Sequence, residues 1–273
     1  MTPRPGTHRS PLDRYSAFLL DVDGVLVHGR EPIPGAAEAL ARLRERGRVV
    51  LLTNNATRSR KEMAARLRDV GFPVTADEVV PSAYVAAHHL REKYGPVRFW
   101  CLGEQGLVEE MALAGHTPVP PEQAQWIVVG MDRTLTYDKL NQALQGLLAG
   151  ARFLATNRDA TYPTEHGLVP GAGAVVGALV GMGFEPEEVL GKPSATPYRV
   201  ALELVGAPVE RALMIGDRLE TDILGAQHLG MDTALVLSGV SAREDIARQG
   251  ICPTWIAANL AALAAGELEP WRS

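Results

Sequence analysis

At both ends of this chain, short apolar and β-branched runs alternate with helical patterns, and that rhythm restricts the fold more than any other feature. Near the N-terminus the order is "AFLLD", "GAAEALARLRERG", "RVVLLT" and "SRKEMAARLRDVG". From Gly206 it resumes with "RALMIGD", "TDILGAQHLG", "DTALVLSG", "SAREDIARQ" and "TWIAANLAALAAG". Continuous apolar runs of this length read as buried strands, and apolar residues at helical spacing between them read as crossover helices. Such repetition predicts an α/β fold: a Rossmann-like parallel sheet core with helices on both faces. Ser59 with Glu62, and Ser241 with Glu244, predict capping boxes, and Gly71 predicts a helix stop.

Between these outer portions lie strand-like "VRFWCLG", "WIVVGMD" and "ARFLATN" and helical "EQGLVEEMALAG" and "DKLNQALQGLLAG", enough to bury a separate core. The expected division is a core from residues 1–82 and 188–273, with an inserted α/β domain over 83–187. The turn-rich stretches at Pro81-Ser82 and "GMGFEPEEVLGKPS" are the expected hinges. A length of 273 residues accommodates both units. "TNNAT" at 53 and "TNRDAT" at 156 echo each other, but over too few residues to mark a duplication.

A net charge of -5 and a pI near 5.8 offer no basic footprint, so no nucleic-acid partner is expected. No apolar stretch approaches the roughly 20 residues of a membrane helix, and the polar N-terminus has no signal-type apolar region. No membrane partner and a cytoplasmic address are therefore expected. Cys101 and Cys252 read as two buried free thiols rather than a disulfide.

In a parallel α/β sheet, ligands sit beyond the carboxyl ends of the strands. The run "FLLDVDGVLV" ends there in Asp21 and Asp23, which strand alternation puts on one face, where they repel unless something needs negative charge. Thr53-Asn54-Asn55, Gly191-Lys192-Pro193-Ser194, and Gly216-Asp217 with Asp222 fall at comparable positions. Each has a plain structural explanation: a turn at Asp-x-Asp-Gly, loop polarity ahead of a capped helix, a solvated lysine, an acid favouring a helix dipole. Together, the carboxylates, ammonium, hydroxyl and amides read as a hard-oxygen metal site beside an anion site.

Other signals carry less. "GAGAVVG" has its last glycine one residue late for a dinucleotide fingerprint, "TEHGLVP" before it is no convincing strand, and Pro193 replaces the hydroxyl residue of a phosphate-binding P-loop. His28 and His166 lie near the presumed cleft as loop histidines, His88 and His89 read as helix-surface residues, and Trp100 and Trp126 as core of the inserted domain.

In order, the motifs "DVDGVLVHGREPIPGAAEAL", "LLTNNATRS", "GKPS" and "IGDRLETDI" resemble those of the haloacid dehalogenase superfamily of aspartate-nucleophile phosphatases, in its NagD-like, para-nitrophenylphosphatase-type branch. "FLATNRDATYPTEHGLVPGAGA" resembles that branch's cap. The resemblance runs from about Tyr15 to Ala262. Only 30 positions separate Asp23 from Thr53, whereas 139 separate Thr53 from Lys192, which leaves room for a cap in the second interval alone.

The resemblance implies a Mg²⁺-dependent phosphomonoester hydrolase of small phosphorylated metabolites. Asp21 would be the nucleophile that becomes an aspartyl phosphate, and Asp23 the acid that protonates the leaving oxygen and later deprotonates water. The carboxylates of Asp21 and Asp217 and the backbone carbonyl of Asp23 would hold Mg²⁺, with Asp222 behind them orienting its waters. Thr53 and the Asn54 N–H would hold phosphoryl oxygens, Asn55 would support the pocket, and Lys192 would bridge Asp21 and the phosphate. The cap would act as a lid, with Asn157, Arg158 and Asp159 as candidate substrate contacts, Arg158 pairing with an acidic or second phosphate group. A cap-mediated homodimer is also compatible with this branch.

Three acids and a phosphate dianion against Mg²⁺ and one lysine leave two net negative charges. At an effective dielectric of about 20, adjacent unit charges interact by about 4 kcal/mol, so the cluster favours one extra proton, placed on Asp23. Two rival readings remain at this level: a halide-releasing hydrolase using the same nucleophile, and a non-catalytic phospho-acceptor module.

Overall fold

The computed structural model describes residues 10–164 and 167–271. Strand Ala17–Leu20 is buried throughout and pairs in parallel with Ala212–Gly216 on one side and Arg48–Thr53 on the other. The sheet continues outward to Val79–Pro81 beyond Arg48–Thr53, and to Asp232–Val236, Trp255–Ala257 and Glu269–Pro270 beyond Ala212–Gly216. All seven strands are parallel except Glu269–Pro270. Because the chain leaves the central strand first to one side and later to the other, a crevice opens at its carboxyl end.

Alternation explains why these strands read as unbroken apolar runs. Phe18, Leu20, Val49, Leu51, Leu213 and Ile215 pack on one face under the helices Ala36–Arg46 and Arg60–Asp69. Ala17, Leu19, Val50, Leu52, Ala212 and Met214 pack on the other. With both faces covered, the interior strand positions read as near-continuous apolar runs.

A second parallel sheet has the order Glu188–Val189, Arg152–Ala155, Trp126–Val129, Arg98–Leu102, Thr117–Pro118. Its outer face, with Ile127, Val129, Phe153 and Ala155, has its own core. Its inner face does not: Trp126, Val128 and Leu154 belong to the same buried cluster as Leu19 and Leu52. The inserted segment therefore shares apolar packing with the first sheet instead of burying an entirely separate core. Glu188 and Val189 still pair in this second sheet, so the expected division at 187/188 falls two residues early.

Several expectations are corrected locally. Pro81-Ser82 makes a poor hinge, because strand Val79–Pro81 runs directly into helix Ser82–Tyr94 and buried Ser82 donates its hydroxyl to Asn54 O at 2.6 Å. Ser59 and Glu62 do form the capping box, but Ser241 does not: Ala242 N–H donates to Asp245, and Ser241 Oγ instead accepts from Leu219 N–H at 3.1 Å. Strands Thr161–Thr164 and Gly167–Pro170 pair antiparallel, so the segment judged no convincing strand contributes one. Both cysteines are free, yet neither is fully buried: Cys101 is half-buried in its strand, and Cys252 is exposed in an irregular surface segment beside Pro253. Trp126 is buried in the second sheet as expected. Among the described residues no helix is long and apolar enough to cross a membrane.

Candidate active site

A cavity of about 440 Å³ opens at the carboxyl ends of the three central strands, lined on its other side by Thr161, Tyr162 and Thr164 of the strand pair Thr161–Thr164 and Gly167–Pro170. Strand Ala17–Leu20 delivers Asp21 to its floor, where Asp21 N–H extends the sheet by donating to Ile215 O at 2.9 Å. The chain then turns: Gly24, at φ 84°, donates to Val27 O, which leaves Asp23 beside Asp21 in the cavity wall. Both acids are pushed above the ordinary carboxylate range, mainly by burial, which positive neighbours only partly offset.

Lys192 arrives from 139 positions beyond Thr53 and is fully committed. Its ammonium donates to Asp21 Oδ1 at 2.8 Å, Asp222 Oδ1 at 2.6 Å and Leu52 O at 3.1 Å, using all three protons. Burial would lower its pKa, but the two carboxylates prevail and hold it above the usual lysine range. Asp222, the fully buried partner, has its other oxygen on Arg218 N–H at 3.1 Å. Burial raises Asp222 to about 6, against the pull of Lys192.

Asp217 follows strand Ala212–Gly216. Its Oδ2 accepts from Val240 N–H at 2.7 Å, while its buried Oδ1, like Asp23 Oδ1, has no partner among the described residues. Burial, then the charges of Asp21 and Asp222, raise Asp217 to about 8. Oxygens of Asp21, Asp217 and Asp222 lie within 4.8 Å of one another. Such crowded, desolvated carboxylates suit a hard divalent cation. Because both Asp222 oxygens are already bonded, the free capacity lies on Asp21 and Asp217. Gly239 permits this arrangement, since a β-carbon there would collide with the Asp217 carboxylate.

Thr53 ends its strand facing the cavity, and its Oγ1 accepts from Asn55 N–H at 3.2 Å. Asn55 Oδ1 in turn accepts from Thr57 N–H and Oγ1, both at 2.9 Å, which shapes the loop. Asn54 joins three segments. Its Oδ1 accepts from Lys192 N–H at 2.8 Å, and its Nδ2 donates to Lys192 O at 3.0 Å and to both oxygens of Asp159 at 3.1 Å.

The cap candidates divide. Asn157 and Asp159 line the cavity. Each nevertheless spends hydrogen bonds on the core, Asn157 Nδ2 donating to Asn54 O at 2.8 Å and Asp159 accepting from Asn54. Arg158 is not among the residues that line the cavity, and its guanidinium pairs with Glu185 at 2.8 Å. His28 lines the cavity as an exposed residue, and His166 lies outside the described residues. Sequence reasoning missed Tyr162, Arg218, Gly239 and Val240, all of which line the cavity. The last two had a readable signal, because "DTALVLSGV" ends a strand of the same parallel sheet.

Known proteins resemble this chain in sequence and in fold. The profile of the haloacid dehalogenase-like hydrolases matches residues 18–117, and a HAD-hydrolase-like profile matches 189–263. The sugar-phosphatase AraL of Bacillus subtilis is 37% identical over 236 residues, 85% of this chain and 86% of that protein. The p-nitrophenyl phosphatase of Archaeoglobus fulgidus superimposes with a TM-score of 0.87 at 34% identity, covering 92% of this chain and 98% of that one. A glycerol phosphate phosphatase of Mycobacterium tuberculosis, in complex with magnesium, gives 0.86 at 37% identity over 93% and 78%. With its motifs at the strand ends of the same fold, the chain belongs to the haloacid dehalogenase-like hydrolases, among their NagD-like phosphatases.

Proposed function

We propose that this protein is a Mg²⁺-dependent phosphomonoester hydrolase of small soluble metabolites that works through an aspartyl phosphate on Asp21. The observation that carries the reading is the division of labour at the cavity floor. Lys192 and Asp222 form a buried brace that orients Asp21, while Asp23 Oδ1 and Asp217 Oδ1 have no partner among the described residues.

Asp21 attacks phosphorus as the bond to the leaving oxygen breaks. Burial keeps a proton on Asp23 more readily than on an ordinary aspartate, and Asp23 gives that proton to the leaving oxygen. Asp23 then takes a proton from the water that cleaves the aspartyl phosphate, freeing phosphate and regenerating Asp21. Thr53 Oγ1 and the Asn54 N–H hold the phosphoryl oxygens, and Lys192 offsets their charge. Asp21, Asp217 and the Asp23 carbonyl would hold Mg²⁺, which supplies positive charge against the phosphoryl group. The core would be residues 10–82 and about 190–271. The intervening segment roofs the cavity through the Asn54 contacts to Asn157 and Asp159, which support substrate positioning in a water-poor site.

A screen of phosphorylated metabolites with and without Mg²⁺ tests this reading. Turnover lost to EDTA and restored by Mg²⁺ is expected. Halide release undiminished in EDTA favours the dehalogenase chemistry, and a long-lived phosphate on Asp21 without turnover favours a phospho-acceptor module; either result defeats the proposal.

Asp217 provides a pH-dependent check. Between its unfolded value near 4 and its folded value of about 8, the folded state binds more protons, so ionisation at rising pH destabilises the metal-free protein. In EDTA, wild type should lose a few degrees of melting temperature relative to Asp217→Asn between about pH 5 and 8. Mg²⁺ at the upper end should restore the wild type and not the variant. A difference that stays flat across that range removes Asp217 as the seat of the repulsion.

A further inference from the structure

The inserted segment reaches Lys192 through a single side chain. The Asn54 amide brackets the Lys192 backbone, its Oδ1 accepting from Lys192 N–H at 2.8 Å and its Nδ2 donating to Lys192 O at 3.0 Å. With its second proton Nδ2 donates to both oxygens of Asp159, each at 3.1 Å. Asp159 thereby fixes which way the amide faces. Turned over, Asn54 would aim its oxygen at the Asp159 carboxylate and Lys192 O, and its NH2 at Lys192 N–H, so every one of these hydrogen bonds would become a repulsive contact. Among the described residues Asp159 forms no ion pair, and only Asn54 donates to its carboxylate.

Asp159 is itself held by the inserted segment. Its N–H donates to Asn157 Oδ1 at 3.0 Å, and its O accepts from Gly173 N–H at 2.9 Å, in the first turn of helix Ala172–Gly181. Buried Asn157 also grips Asn54 directly, donating to Asn54 O at 2.8 Å. Gly191 allows the three segments to close on one another, since a β-carbon there would fall 2.5 Å from Asn157 Cβ and 2.8 Å from Asn54 Oδ1. At the far end of the bracket, the Lys192 ammonium holds Asp21 and Asp222. A continuous line of hydrogen bonds thus runs from helix Ala172–Gly181 through Asp159, Asn54 and Lys192 to Asp21.

We propose that Asp159 is a positioning residue rather than a substrate contact: it locks the Asn54 amide, which holds the Lys192 backbone where its ammonium reaches Asp21. The inserted segment then sets the alignment of the nucleophile. This rests on the phosphatase reading above, in which Asp21 attacks phosphorus. Charge favours the indirect role, because a carboxylate lining the cavity repels a phosphate dianion, whereas as acceptor for Asn54 it serves the core. Displacing a reacting group by about 1 Å can cost on the order of a hundredfold in rate, so the loss on removing Asp159 falls on kcat.

The test measures kcat and KM with two esters of unlike leaving group, p-nitrophenyl phosphate and glycerol 3-phosphate, and refers each rate to the folded fraction from a thermal melt. Asp159→Ala should lower kcat roughly ten- to a hundredfold, by the same factor for both esters, while KM holds or falls. Asp159→Asn, whose side-chain oxygen can still accept from Asn54, should recover at least part of the loss. The double variant Asn54→Ala/Asp159→Ala should be no slower than Asn54→Ala, because both residues act through one link. An unchanged kcat in Asp159→Ala, a raised KM at constant kcat, or losses that differ between the two esters would overturn the inference. Absence of any recovery in Asp159→Asn, or additive losses in the double variant, would do the same. All of these leave the phosphatase reading standing, since wild type turns over in the same assay. If wild type hydrolyses neither ester nor any other phosphomonoester, that reading itself fails and this inference with it.

Discussion

Asp21→Asn is expected to reduce phosphoester hydrolysis on the order of 10⁴-fold or more while leaving the fold intact. An amide of the same shape cannot attack phosphorus at a useful rate, and loss of a nucleophile is among the largest single-residue effects in catalysis. Stability should hold, because burial already makes the Asp21 charge unfavourable. Lys192 also keeps Asp222 at 2.6 Å and Leu52 O at 3.1 Å, so no buried cation is orphaned. Turnover of p-nitrophenyl phosphate and a thermal melt on one preparation decide the matter. Wild-type turnover would remove Asp21 as nucleophile; a large fall in melting temperature would mean that it chiefly maintains the fold.

Lys192→Met should show the converse, a structural penalty as large as the catalytic one. Lys192 is buried between two carboxylates, and removing one member of such a network costs about 3–5 kcal/mol because the remaining charges lose their counter-ion. In a chain of this size that corresponds to a drop of about 10 °C. The sign with pH follows. Lys192, held above the usual lysine range, contributes throughout the neutral range, and Asp222, about 6 even with the lysine present, moves higher without it. The penalty should thus be largest near pH 8 and shrink as Asp21 and Asp222 take up protons toward pH 5. Melting curves in EDTA across that range measure it. A penalty that does not vary with pH would show that lost packing, rather than unpaired charge, is the cause.

Part of the site was readable because strand ends are readable. Asp21, Thr53 and Asp217 each follow an apolar run too short for a helix, and parallel topology takes such ends to a common edge. Asn54 was harder. Its sequence neighbours suggested loop polarity and a backbone donor, but its side chain joins Lys192 and Asp159, 138 and 105 positions away. Arg158 shows the opposite case: its neighbours Asn157 and Asp159 line the cavity, but its own charge is paired with Glu185. Ser241 was misread because its local capping pattern competed with the distant backbone donor of Leu219, and the tertiary contact prevailed.

By itself, the sequence determined the parallel architecture, the chain order of the motifs and the chemical character of the cavity floor, because periodicity and residue type act through nearest neighbours. Only the tertiary structure decided which charges are partnered. It committed Lys192 to Asp21 and Asp222, and tied the inserted sheet to the first through one shared apolar cluster. Pairing depends on distances between segments a hundred residues apart and on how far burial strips water from them, and neither quantity is encoded at any single position.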